Sequence, residues 1–177
     1  MVYFIYFWFL RINVKNIALQ ELTTADAEFI FKLVTQASFK EHIGDKGVYD
    51  ITSAAKHLEE KYIQPYQQYG YGLWGIKDLD RNCFVGVCGL VTRPDFDIPD
   101  LGYSLLDEFT KQGYVAEAAR KTIECARNKH GFDTLNAITS PTNNASINVL
   151  EKLGFKFIKQ FELSGYEGVS NLYQLAL

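Results

Sequence analysis

The stretch LGYSLLDEFTKQGYVAEAA, residues 101–119, decides how this chain is read. Leu101 to Leu106 reads as a strand, a short loop follows, and Gly113 opens the best helix in the sequence. Along that helix Val115, Ala118, Ala119, Thr122, Ile123 and Ala126 fall on one stripe, the spacing of a face turned to a core. Glu117 and Lys121 form an i,i+4 pair on the outer side, and Gly131 stands where a helix-ending glycine belongs. A helix N-terminus exposes unpaired N–H groups and a partial positive charge, which together suit an anion. Lys111 adds a cation beside it, and Gly113 lets backbone approach a phosphate with no Cβ between. Taken alone, the pattern fits a structural glycine as well as a phosphate cradle.

On the C-terminal side, Leu135 to Ser140 reads as a short strand. PTNNASINVLEKLGF, residues 141–155, then starts a helix at Asn143, turns Ile147, Leu150 and Leu153 inward, and ends at Gly154. Phe155 to Phe161 and Val169 to Leu175 close the chain as strands. On the N-terminal side, Ile17 to Leu22 alternates as a strand. Thr23 and Thr24 offer a helix cap, and Phe29, Ile30, Leu33, Val34 and Ala37 follow at helical spacing. Phe39 to Asp50 reads as a loop, and a second helix runs from Thr52 to about Gln64, where Pro65 limits it. Tyr71 to Lys77 and Cys83 to Val91, joined by turn residues Asp78 to Asn82, read as a hairpin, with Cys83 and Cys88 on opposite faces. Pro94 to Pro99 is a loop with aspartates nearby. The alternation of helical and strand periods predicts one mixed α/β domain with a twisted, mostly antiparallel sheet flanked by helices.

Composition narrows the function classes. At 177 residues the chain fits one domain. A net charge of −3 supplies no broad field for nucleic acid or an anionic membrane, so neither is an expected partner. Cys83, Cys88 and Cys125 form no CxxC, and His42, His57 and His130 are scattered, so no metal site is expected. Plain reduced thiols suit a cytoplasmic protein. Residues 1–10, MVYFIYFWFL, are almost wholly apolar, yet they are half the length of a membrane span and lack the flanks of a secretory signal. An extra strand, an oligomer contact such as a homodimer's, or an early start codon all remain open. Residues 1–16 are therefore set apart as an extension, and residues 17–177 as the domain.

Taken in order, Gly113-Tyr114, Glu117-Ala118 and Asn143 through Phe155 resemble the GNAT superfamily of N-acetyltransferases, closest to its branch of ribosomal-protein N-terminal acetyltransferase-like enzymes. The likeness extends loosely from Ile17 to the C-terminus. It implies an acyltransferase moving acetyl from acetyl-CoA, with no metal, to a primary amine such as a protein N-terminus or a small-molecule amine. It also implies that the strand at Leu101 to Leu106 parts from the strand at Leu135 to Ser140 and admits the pantetheine arm. Backbone groups of Leu105 and Leu106 would then pair with the arm. The N–H groups of Lys111, Gln112, Gly113, Tyr114, Val115 and Ala116 would hold the diphosphate. Asn143 would bond the arm, and Ser146 would lie near the sulfur. Two positions depart from the family pattern: Thr110 replaces its usual Arg or Gln, and Val115 its small residue. These departures keep alive a rival reading, a non-catalytic acyl-CoA-binding sensor or interaction module on the same fold.

Acyl transfer requires a neutral amine, a donor for the oxyanion and a proton for the leaving thiolate. Leu105 or Leu106 N–H is the candidate oxyanion donor, and Ser146 the candidate acid, although a serine there also makes local backbone bonds. Asp100, at the head of the strand, is the candidate base, with Asp95 and Asp97 in the preceding loop. Tyr71 and Trp74 are candidates for lining the acceptor pocket or, equally, for the core.

Overall fold

The computed structural model describes residues 15–177 apart from position 167, so the apolar run 1–10 and nearly all of the extension 1–16 lie outside the described residues. Seven strands form one sheet in the order β1-β2-β3-β4-β5-β7-β6. They are β1 (Ile17–Gln20), β2 (Leu73–Asp78), β3 (Cys83–Val91), β4 (Asp100–Leu105), β5 (Thr134–Thr139), β6 (Lys156–Glu162) and β7 (Val169–Ala176). Every neighbouring pair is antiparallel except β4 and β5, which run parallel. The helices are α1 (Ala27–Thr35), α2 (Ala37–Ile43), α3 (Ile51–Leu58), α4 (Gln64–Tyr69), α5 (Tyr114–Asn128) and α6 (Asn144–Lys152).

Each face of the sheet has its own core. On one face, Ala118, Ala119 and Ala126 of α5 and Leu150 of α6 pack on Ile76, Val85, Cys88, Leu101, Leu135 and Ala137. Small residues on α5 let the helix axis sit close to the strands. On the other face, α1 and α3 bring Ile30, Leu33, Val34, Ala54 and Leu58 over Val87 and Leu106. Burying one such large apolar side chain stabilises by about 1.5–3 kcal/mol. The α5 stripe read from the sequence is buried at Ala118, Ala119, Thr122 and Ala126, and Tyr114 joins it with no exposed surface.

Several elements differ from the sequence reading. The expected loop from Phe39 begins as helix α2, because Gln36 turns extended (φ −60°, ψ 146°) and breaks the first helical run in two. The second helix continues past Pro65. A π-turn at Glu59–Ile63 takes up the missing hydrogen bond, and Pro65 then sits in the first turn of α4, where it has no partner to lose. Cys83 and Cys88 share a face rather than opposing one another. The ladder shifts between Ile76 and Lys77, which leaves Val85 as an extra residue and reverses the parity of β3.

Candidate functional site

Parallel strands β4 and β5 pair at Asp100 with Asn136 and at no later residue. Beyond that point no ladder pairing joins the two strands, and they part toward Leu105 and Thr139. The hydrogen-bond phase shows which backbone groups face it. Asn136 N–H donates to Pro99 O, Leu90 N–H turns away from β4 to Gly72 O, and Leu106 N–H donates to Val85 O. Odd-numbered residues of β4 therefore point their backbone toward β5. Tyr103 and Leu105 line the gap, with Leu105 O also accepting from the Gln36 amide at 3.3 Å. Leu106 does not line it: its N–H serves Val85 and its carbonyl accepts from Phe109 N–H at 2.9 Å. For Leu106 to pair with an incoming chain as expected, these backbone groups would have to leave Val85 and Phe109.

The loop after β4 is braced from below. Gln36 Oε1 accepts from Asp107 N–H at 2.8 Å, Ser38 donates to Asp107 at 2.5 Å, and Lys32 pairs with Glu108 at 3.1 Å. Thr110 closes a short helical turn onto Asp107 O with both its N–H and its hydroxyl. Lys111 (φ 58°) and Gly113 (φ 90°) then take left-handed conformations, which swing successive amides to one side. Among the described residues, the N–H groups of Lys111, Gln112, Gly113, Tyr114, Val115 and Ala116 have no partner; the next, Glu117, donates to Gly113 O. No atom lies within 4 Å of where a Cβ on Gly113 would stand, so the cradle opens to solvent on that side.

Tyr114 fixes the same end from within. Its phenol is bonded to Asp78 and Arg81, tying the first residue of α5 to the turn between β2 and β3. Asp78 also accepts from the N–H groups of Asp80 and Arg81, at 2.9 Å each. These donors, Tyr114 foremost, hold the Asp78 carboxyl down at about 2. Burial pushes the Tyr114 phenol up, and its bond to the Asp78 carboxylate pushes the same way.

Across the gap, Asn143 caps α6. Its Oδ1 accepts from Ser146 N–H at 3.0 Å, which leaves its NH2 free among the described residues. The Ser146 hydroxyl lies 2.8 Å from the hydroxyl of Tyr103 on β4. Tyr103 carries no motif signal, and its partner stands 43 residues on, so sequence reasoning passed over it.

Asp100 lies elsewhere than an open base would. Only 2% exposed, it is gripped by Arg93 through Nε at 2.7 Å and Nη2 at 3.3 Å. Burial pushes its carboxyl up while Arg93 pulls the other way, and both oxygens are occupied. The structure makes Asp100 a buried ion-pair partner of Arg93 rather than an open carboxylate. Asp95 accepts from Ser164 at 2.7 Å. Tyr71 bonds Thr92 and packs against Tyr69, His130 and Phe132, by the C-terminal end of α5, far from its N-terminal cradle. Trp74, 7% exposed, pairs with Cys88 of β3 and lies beside Lys121, Cys125 and Lys129 of α5. Neither faces the gap: the alternation of β2 turns Trp74 toward α5, and Tyr71, which precedes β2, packs against the cluster on the same face. On the opposite face three loops meet instead. Tyr166, between β6 and β7, lies 5.1 Å from Lys46 and 5.5 Å from Arg93. Burial raises the Tyr166 phenol, but Arg93 and Lys46 outweigh it and bring it below its ordinary value.

Comparison with known proteins agrees with this architecture. The profile of the family described as "Acetyltransferase (GNAT) domain" matches residues 16–156. The Bacillus subtilis protein YkkB is 33% identical over 93 residues, which is 51% of this chain and 54% of YkkB, so the match spans about half of each. An acetyltransferase from Agrobacterium tumefaciens superposes with a TM-score of 0.76 at 24% identity, covering 91% of both chains. The ribosomal alpha-N-protein acetyltransferase RimL, in complex with coenzyme A, superposes with a TM-score of 0.75 at 20% identity, covering 93% of this chain and 96% of RimL.

Proposed function

The chain belongs to the GNAT acetyltransferase domain family, and from that premise we propose that it transfers the acetyl group of acetyl-CoA to a primary amine by direct attack. The observation that carries this reading is the run of partnerless amides from Lys111 to Ala116 beside the parted strands. Such a run at a helix start suits a diphosphate. Lys111 supplies charge where Thr110 has none. In this reading the pantetheine arm lies along β4, its amides paired with backbone groups of Tyr103 and Leu105, while the Asn143 NH2 donates to it from the other side. Acetyl-CoA brings an activated carbonyl, and the protein's part is to orient it, polarise it and supply a proton. Leu105 N–H, pointing into the gap, donates to the developing oxyanion. Ser146, one turn into α6, protonates the departing sulfur, whose pKa near ~8.5 asks for only a weak acid.

Asp100 being closed off by Arg93, the acceptor's ammonium gives its proton to water before attack. The acceptor enters where the loops carrying Lys46, Arg93 and Tyr166 meet. A protein N-terminus, as RimL's name records for that enzyme, or a small amine fits this route. The free thiols of Cys83, Cys88 and Cys125 support a cytoplasmic setting.

Acceptor-dependent release of free thiol from acetyl-CoA, measured against a panel of amines, tests the reading. Coenzyme A at a hundred times its Kd should also stabilise the fold by about 2.7 kcal/mol. Stabilisation without acceptor-dependent thiol would replace the enzyme by a non-catalytic acyl-CoA-binding module. Neither effect would remove both readings.

A further inference from the structure

We propose that Tyr103 is a positioning residue for acyl transfer, its phenol donating to the Ser146 hydroxyl so that the serine's single proton is left for the sulfur. The inference rests on the acetyl-transfer reading above and assigns a task that reading leaves open. A serine hydroxyl in the first turn of a helix can rotate freely, and its default is to bond backward to a carbonyl of its own helix. Ser146 does not: among the described residues its Oγ has one partner, the Tyr103 hydroxyl at 2.8 Å. A hydroxyl carries one proton and two lone pairs. If Ser146 donated to Tyr103, that proton would be spent. The phenol would then have only Ser146 O, at 3.4 Å, as an acceptor. With Tyr103 donating to Oγ, the short contact satisfies the phenol and frees the serine proton. Burial pushes the Tyr103 phenol up to about 12, so it stays protonated and remains the donor through the neutral range.

The placement is specific. The Tyr103 side chain lies on the α5–α6 face of β4, packed against the main apolar cluster, while its backbone faces the gap. One residue thus borders both the expected path of the arm and the group expected at its end. As the tetrahedral adduct collapses, the C–S bond breaks and its electron pair goes to sulfur. The Ser146 O–H bond breaks and an S–H bond forms. As that proton leaves, one shed by the attacking nitrogen reaches Ser146 Oγ through water in the same movement, so no alkoxide accumulates, and the Tyr103 O–H keeps the oxygen oriented throughout. The protein ends unchanged.

A mutant cycle tests this, with turnover measured as acceptor-dependent thiol release. Tyr103→Phe should lower kcat about tenfold or more, as loss of alignment does, with the KM for acetyl-CoA almost unchanged. Ser146→Ala should lower it at least as far, and the double variant should fall no further than Ser146→Ala alone. Wild-type turnover in Tyr103→Phe, a double variant whose loss is the product of the two, or a rise in KM with kcat intact would overturn the proposal. A merely structural tyrosine would still matter in the Ser146→Ala background; a positioning one would not. Should Tyr103→Phe fail to fold, the ζ-carbon NMR signal of Tyr103 in Ser146→Ala decides: it should shift from its wild-type position, and an unmoved signal overturns the contact. Acceptor-dependent thiol release by the wild type separates failure of this inference from failure of the acetyl-transfer reading.

Discussion

Replacing Tyr114 by Phe removes one hydroxyl from the joint between α5 and the β2–β3 turn and leaves the ring that fills the core. Tyr114 has no exposed surface and Asp78 is 4% exposed, so water cannot replace the lost donor. Asp78 keeps its bonds from Asp80 and Arg81 but loses the one that lowers its pKa most. A hydrogen bond to an ionised group contributes about 1.5–3 kcal/mol. In a domain of this size each kcal/mol moves Tm by about 2–4 °C, so the variant should melt roughly 3–12 °C below wild type at pH 7. The pH dependence has a defined sign. The folded pKa of Asp78, about 2, lies below its ordinary 3.8. The stabilisation is therefore present above 3.8 and is lost as pH falls through about 2. In Tyr114→Phe the folded pKa rises toward the ordinary value, so the two proteins should converge in stability over that acid window. Thermal unfolding followed by circular dichroism, from pH 7 downward, measures both effects. Equal melting at pH 7, or a gap that stays constant into acid, would refute the reasoning.

Gly113→Asp should weaken coenzyme A binding at least tenfold by calorimetry, more than Gly113→Asn does, because both strain a φ of 90° but only Asp opposes an anion. Equal affinities for the two variants would count against a diphosphate there. Asp100→Asn should cost about 1.5–3 kcal/mol of stability by removing the charge-assisted bonds from the partly exposed Arg93, while folded enzyme retains turnover within about tenfold; a loss of ~100-fold or more, the range of a missing acid or base, would assign the base role to Asp100. With water as the proton acceptor, kcat/KM should climb with pH until the amine's own pKa. A plateau well below that value would point to a base in the protein.

Much of this architecture was legible because local chemistry decides it. The helical period after Gly113, the Asn143 cap and the Gly131 and Gly154 stops are written in neighbouring residues, and the structure has α5 and α6 where they indicate. What was not legible depends on distant partners or on parity. Nothing local to Asp100 says that Arg93 folds back from the preceding loop to grip it. A bulge opposite Ile76 and Lys77 reverses the faces of Cys83 and Cys88, and no residue type announces it. Leu106 looked equivalent to Leu105, yet strand phase commits its N–H to Val85. Tyr103 stands out only once α6 brings Ser146 against it.

The most direct test is a crystal structure of the protein grown with coenzyme A. The account expects diphosphate oxygens within hydrogen-bond reach of the amides from Lys111 to Ala116, and a pantetheine arm running between β4 and β5 against the backbone of Tyr103 and Leu105. Strands closed over that space, or a diphosphate bound away from Gly113, would contradict it.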